Sequence, residues 1–272
     1  MAEITPERGL DSQGFVGHPV CLSKVSADFL PVLNETIARL SSDFASQIHS
    51  IYLYGSVGRG EAQWGVSDLD LSLITHQPLS GEHRAALNTL ADSICPQHPS
   101  ISKLEFDLGT YDEAMVHNAF EWQFWLKHLC TCVWGADLRP QIAPYRPSLQ
   151  IGLAMNQDLQ QRLCQALEQI KSGSSSAVGK SVAKKILRTH YALYCERDQS
   201  FYHDLNAIAA VLLRYDPAFK SAIAQAVRLA RGEVSDCAVV QEMIQGYGQT
   251  IADRLRVLQA GGAIVTRHQS SR

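Results

Sequence analysis

Apolar side chains recur along this chain in two rhythms. Up to about residue 135, helical stripes alternate with short runs of period two. From about residue 146 onward every stripe is helical. Phe29, Leu33, Ile37, Leu40 and Phe44 predict a first helix from about Ser26, its start blurred by Pro31, which has no N–H to give an ongoing helix. A strand over about 49–54 runs into Gly55-Ser56. In the strand that follows, side chains alternate, so Asp68 and Asp70 share one face while Leu69, Leu71 and Leu73 take the other. Leu87, Leu90, Ala91 and Ile94 then mark a helix stopped by Pro96. The strand Ile101–Gly109 repeats the earlier design: Leu104, Phe106 and Leu108 face a core, and Glu105 and Asp107 face away from it.

Phe120, Trp122, Phe124 and Trp125 crowd the next segment. Phe120 and Phe124, four apart, predict a buried helix face in preference to a base- or sugar-stacking surface. Thr131–Trp134 predicts an edge strand, and the Pro-containing link Arg139–Pro147 a domain boundary. Beyond it, Leu159, Leu163, Leu167 and Ile170 form one stripe, followed by a flexible run, Ser172 to Ser176. Val178, Val182, Ile186 and Leu193 line another helix, then Leu205, Ile208, Leu212 and Leu213, then Ile223 and Val227. The longest stripe is Val240, Ile244, Tyr247, Ile251, Leu255 and Leu258. Five such helices predict a bundle. The fold class expected is α+β: a small mixed sheet flanked by helices, followed by an all-α helical bundle. Its divisions are a loose N-terminal arm at 1–22, a sheet domain at 23–145, the bundle at 146–260 and a frayed tail at 261–272.

The chemistry concentrates between Ile51 and Leu73. Asp68 and Asp70 repel each other, and each tends to hold a proton unless a cation sits between them. Hard divalent cations take such oxygen ligands together with substrate phosphates. Gly55-Ser56 adds backbone N–H groups at a loop-to-helix junction, an arrangement that favours phosphate. Arg59 either reaches a β- or γ-phosphate or is a solvated loop arginine. Trp64 is read as a packing or substrate-stacking residue of the loop.

Gly55-Ser56, eleven residues, then Asp68-Leu69-Asp70 in a second strand resembles the signature of the DNA polymerase β-like nucleotidyltransferase superfamily. Within it the chain is similar to the aminoglycoside nucleotidyltransferase-like branch, which carries a helical C-terminal domain. The resemblance implies a catalytic set of Asp68, Asp70 and Glu105, with the same three residues as metal ligands for two Mg2+ ions and Asp107 as the fallback third carboxylate. It implies Glu105 as the general base and Gly55, Ser56, Arg59 and Ser67 as nucleotide-binding residues. In the resembling proteins the helical domain also sends basic residues toward the triphosphate. Lys184, Lys185 and Arg188, three to four residues apart on one helix face, fit that role or are an ordinary solvated basic face. His190, Tyr191 and His203 lie near them as candidates for binding an acceptor, although a lone histidine is more often structural.

Composition narrows the acceptor. With 272 residues, 46% hydrophobic and 19% charged, the chain is long enough for one large or two modest cores. A net charge of −3 gives no bulk attraction to nucleic acid. No apolar run approaches a membrane span and the N-terminus lacks a signal-peptide core. Seven cysteines without zinc spacing are read as unpaired and mostly buried, which fits a cytoplasmic protein. The expected function is metal-dependent transfer of a nucleoside monophosphate, most simply AMP from ATP, to a small hydroxylated acceptor such as an aminoglycoside. The alternatives are transfer to tRNA or a protein hydroxyl, or a non-catalytic nucleotide-binding partner module.

Overall fold

The computed structural model describes residues 8–171 and 176–269, with Ser176 and 262–269 as backbone. The chain forms two compact units: Gly17–Tyr145, and Arg146 onward joined by the segment that precedes Gly17. Among the described residues no helix is long and apolar enough to cross a membrane.

In the first unit, β1 (Ile48–Tyr54), β2 (Leu69–Thr75), β3 (Leu104–Thr110) and β4 (Thr131–Gly135) make one sheet in the order β3-β2-β1-β4. β1 is antiparallel to β2 and β4, whereas β2 and β3 are parallel. A parallel pair needs a crossover, and α3 (Gly81–Ile94) lies within it. α1 (Leu30–Asp43) takes Pro31 in its first turn, where the missing N–H would have had no intrahelical partner. The pairings Leu69↔Leu104, Leu71↔Phe106 and Leu73↔Leu108 build one apolar face, extended by Ile51 and Leu53 of β1. α1 and α3 cover it with Leu33, Leu40, Phe44, Leu87, Leu90 and Ile94. On the opposite face Tyr52 and Ile74 pack with Leu126 and Cys130 around α4 (Phe124–Leu129), beside Leu138 and Ile142.

Two turns before α4 depart from the periodicity. Ala119–Gln123 is a single π turn, which breaks the four-residue repeat on which a shared face depends. Phe124 is fully buried, while Phe120 is 39% exposed and meets Tyr145 edge-on. The common buried face expected of these two residues is therefore absent.

The helical unit contains α5 (Leu149–Ala154), α6 (Leu159–Lys171), α7 (Ser176–Ala192), α8 (Cys195–Asp198), α9 (Leu205–Tyr215), α10 (Lys220–Arg231), α11 (Cys237–Met243) and α12 (Gln249–Gln269). Leu163, Ile186, Ile208, Leu212, Ile223 and Ile251 meet in its core. Asp204 and Asp236 cap α9 and α11 by accepting N–H bonds from the first turn. The long stripe from Val240 to Leu258 is not one regular helix. A π turn at Ile244–Gly248 separates α11 from α12, and a Cβ on Gly248 would come within 3.0 Å of Ile186 Cδ1. Leu213 turns outward because Leu212, the adjacent position on α9, takes the core site.

Three other expectations change. The stretch 1–22 is not a loose arm where it is described. The Phe201 N–H donates to the Arg8 carbonyl at 2.8 Å, the Arg8 guanidinium pairs with buried Asp198 at 3.1 Å, and Leu10 and Val16 are buried. Arg8 and Asp198 lie 190 residues apart in sequence, so local periodicity carries no trace of them; residues 1–7 lie outside the described residues. The region expected as a frayed tail is helical through Gln269, while 270–272 lie outside the described residues; of the predicted flexible run 172–176, residues 172–175 also lie outside them and Ser176 opens α7. The cysteines are all free, but Cys21, Cys164 and Cys237 are exposed and only Cys130 and Cys195 fully buried.

Leu71, fully buried at the centre of the sheet, tests this core. Leu71→Ala is expected to destabilise the first unit by about 2–5 kcal/mol. All four tryptophans lie within Gly17–Tyr145, so denaturant unfolding followed by tryptophan fluorescence reads that unit alone. An unchanged midpoint would contradict the packing described.

Candidate active site

The parallel register of β2 and β3 sets the site. Asp70 pairs with Glu105 and Ser72 with Asp107, so these side chains emerge from one face, with backbones about 4.8 Å apart. Antiparallel β1 brings Tyr54 opposite Asp70 on its other side. Asp68 stands just ahead of β2, and its Oδ1 accepts from Ser102 Oγ at 2.5 Å. Gly55 follows β1 at φ 75°, and a Cβ there would lie 2.0 Å from Asp70 Oδ2. The glycine is thus needed twice over, for its left-handed backbone and for the space that Asp70 occupies. Gly55 and Ser56 open α2 (Gly55–Arg59), a single turn closed by Gly60 in the left-handed region.

Charge accumulates on this face. Burial, then the carboxylates of Asp68, Glu105 and Asp107, push the Asp70 pKa up to about 7, with Arg59 opposing. The Tyr54 hydroxyl is kept firmly protonated, by burial first and then by Asp107 and Asp70, and it is hydrogen-bonded to Asp107. Lys103 forms an ion pair with Glu105; that hydrogen bond, more than the nearby Asp68 and Asp70 charges, raises the lysine pKa. Behind the acids, Trp125 Nε1 donates to Ser72 Oγ at 2.9 Å, and the Trp125 ring meets Tyr54 edge-on.

The first unit therefore brings Gly55, Ser56, Arg59, Asp68, Asp70, Glu105 and Asp107 to one end of its sheet. Arg59 is also paired with Glu61 at 2.8 Å. Ser67 is a turn residue, its Oγ accepting from the Gln63 N–H at 2.9 Å. Trp64 is 57% exposed, so it does not pack. In the helical unit, Lys184, Lys185 and Arg188 line a groove of about 320 Å³ between α6 and α7, together with Arg162. Lys185 is drawn aside there: it pairs with Asp158 at 2.7 Å, and burial lowers its pKa. His190 and Tyr191 are buried and cannot serve as acceptor contacts as they stand. His190 bonds Tyr247 at 2.7 Å and Asp216 at 3.1 Å, and Tyr191 bonds Ser200 at 2.8 Å.

Sequence reasoning missed Lys103, Ser102 and Tyr54. A signal was present for Lys103, since on the predicted strand Ile101–Gly109 it lies two residues from Glu105 and so shares its face. Which strands became neighbours was needed to bring Tyr54 and Ser102 to the acids.

Mg2+ is usually held by one or two carboxylates plus substrate phosphates, not by an all-protein cage. Among the described residues no three His, Cys, Asp or Glu side chains form a ready metal cage. The crowded carboxylates around Asp70, whose repulsion a divalent cation would relieve, fit the former pattern.

No family model matches the chain, and no curated protein matches it. Among solved structures it is similar to spectinomycin adenyltransferase AAD(9) from Enterococcus faecialis, solved with ATP and spectinomycin. The similarity covers 84% of this chain and 99% of that one, with a TM-score of 0.53 and 14% sequence identity. The fold is that of a nucleotidyltransferase, with a mixed sheet and a helical C-terminal region.

The raised Asp70 pKa has a stability consequence. Below about 4 the carboxyl is protonated folded and unfolded; as pH rises to about 7 the folded chain alone keeps the proton, and stability falls until the folded group ionises. Asp70→Asn carries no such proton. With a chelator present, the stability of Asp70→Asn relative to wild type is expected to grow by up to about 3 kcal/mol between pH 5 and pH 8. Fluorescence-detected unfolding at the two pH values measures it, and a constant difference would refute the raised Asp70 pKa.

Proposed function

We propose that this chain, with the fold of a spectinomycin adenyltransferase, is itself a nucleotidyltransferase. It moves a nucleoside monophosphate, AMP from ATP, to the hydroxyl of a small acceptor such as an aminoglycoside. The observation that carries the reading is the register of Asp70 with Glu105 beside the Gly55-Ser56 turn. The unit Gly17–Tyr145 is then the catalytic domain.

In this reading Asp68 and Asp70 hold Mg2+, with Glu105 reaching a second ion. When bound, the metal supplies charge neutralisation at the phosphoryl oxygens and at the leaving pyrophosphate. Backbone N–H groups at Gly55 and Ser56 bind the terminal phosphates, with Arg59 and Ser67 beside them. Lys184, Lys185 and Arg188 are the candidates in the helical unit, with Lys185 paired to Asp158. Glu105 accepts the proton of the acceptor hydroxyl, whose oxygen bonds to the α-phosphorus as the bond to the β-phosphate oxygen breaks. Glu105 is preferred to Asp107 for two reasons. It lies in register with Asp70, whereas Asp107 is one strand repeat further, about 6.6 Å, and is held by Tyr54.

One observation favours a polyanionic acceptor such as a tRNA end: the groove lined by Arg162, Lys184, Lys185 and Arg188. Binding of that kind weakens steeply with salt, whereas a small acceptor is little affected.

Pyrophosphate release from each nucleoside triphosphate with Mg2+, offered aminoglycosides, bulk tRNA or protein hydroxyls, tests the reading. Release is expected with ATP and a small acceptor. Asp70→Ala is expected to abolish it, and Glu105→Gln to lower kcat by about a hundredfold or more with little change in KM for ATP. Wild-type turnover in an Asp68→Ala/Asp70→Ala variant would overturn the mechanism. ATP binding without release from any acceptor would favour a non-catalytic binding module.

A further inference from the structure

Lys103 immediately precedes β3, and its backbone carbonyl accepts the Leu69 N–H at 2.8 Å. The β2–β3 register therefore places it beside Asp68, on the same face as Asp68, Asp70 and Glu105. Its ammonium pairs with Glu105, the residue assigned above both to the second metal and to the acceptor proton. The side chain is 64% exposed, so it can swing into water without uncovering buried surface. A lysine head is a compact point charge on a flexible four-carbon stem, suited to being exchanged and poorly suited to rigid structural bracing. Arg59, the other cation acting on Asp70, is engaged by Glu61.

We infer that Lys103 is an internal counter-ion of the acidic site: it neutralises Glu105 before metal binds, and metal displaces it. The inference rests on the metal reading above. Lys103 stays protonated throughout; what changes is its partner. The lysine thus competes with the divalent ion, lowering affinity for bare metal and releasing Glu105 only when the cation arrives. An empty site is in this way kept from holding several uncompensated carboxylates. The general base is also masked until the metal is in place.

The test is a Mn2+ titration of the full chain, with free ion followed by electron paramagnetic resonance, without nucleotide and with a non-hydrolysable ATP analogue. An exposed ion pair is worth under about 1 kcal/mol, so Lys103→Met is expected to tighten Mn2+ binding about two- to fivefold. Lys103→Arg, which keeps the charge, is expected to bind as wild type does. Lys127→Met, which removes a charge from α4 of the same unit, is expected to leave affinity unchanged. Unchanged or weaker binding in Lys103→Met overturns the inference. Equal tightening in Lys127→Met overturns it too, by showing a general charge effect in place of contact with Glu105. Failure of wild type and every variant to bind Mn2+ would instead remove the metal reading on which the inference stands. Thermal unfolding of each variant confirms that the titrations compare folded proteins.

Discussion

Repulsion among carboxylates is the constraint around which the first unit is arranged. Parallel pairing of β2 with β3 places Glu105 beside Asp70 and Asp107 beside Ser72, while Asp68 stands at the mouth of the same face. Asp70, which is largely buried, feels all three other acids, and its pKa rises to about 7. Such a cluster is costly unless something else is satisfied by it. Here the apolar residues that alternate with the acids on β2 and β3 drive the pairing, because Leu69, Leu71, Leu104 and their neighbours are buried under α1 and α3. Packing energy on one side of the sheet holds unfavourable electrostatics on the other.

The residues around the acids limit that cost without removing it. Ser102 donates to Asp68, Lys103 pairs with Glu105, and Tyr54 is bonded to Asp107. Trp125 fixes Ser72 from behind. Each carboxylate other than Asp70 therefore has a side-chain partner that orients it. Gly55 leaves Asp70 its space: any side chain at that position would collide with the carboxylate. The glycine of the Gly55-Ser56 turn thus serves the Asp70 carboxylate as well as the left-handed backbone of the turn.

The helical unit solves a different problem. His190, which lies on the same helix as the basic residues, is withdrawn into a buried network with Tyr247 and Asp216; Asp216 is further bonded by Tyr194 and Arg254. Burial depresses the His190 pKa to about 4, so at neutral pH the ring is uncharged and acts as a hydrogen-bonding spacer between helices. Lys185 is similarly tied to Asp158. Of the residues that share the α7 surface by spacing, Lys184 and Arg188 line the same groove as Lys185.

The sequence by itself determined the mixed architecture and the facing of the acids, because both follow from local periodicity. Alternation alone puts Asp68, Asp70, Glu105 and Asp107 opposite the leucines, and helical spacing alone separates the sheet from the bundle. Local rules failed wherever the answer lay in distant partners. The stretch 8–16 is ordered by Asp198 and Phe201, far along the chain. The stripe from Val240 to Leu258 is interrupted where Gly248 approaches Ile186. Which strand lies beside which was likewise decided only in three dimensions, and with it the choice of Glu105 over Asp107 as the nearest neighbour of Asp70. Period-two alternation states which way a side chain points, but lateral register arises only when two strands pair, so the company each acid keeps was settled by tertiary structure.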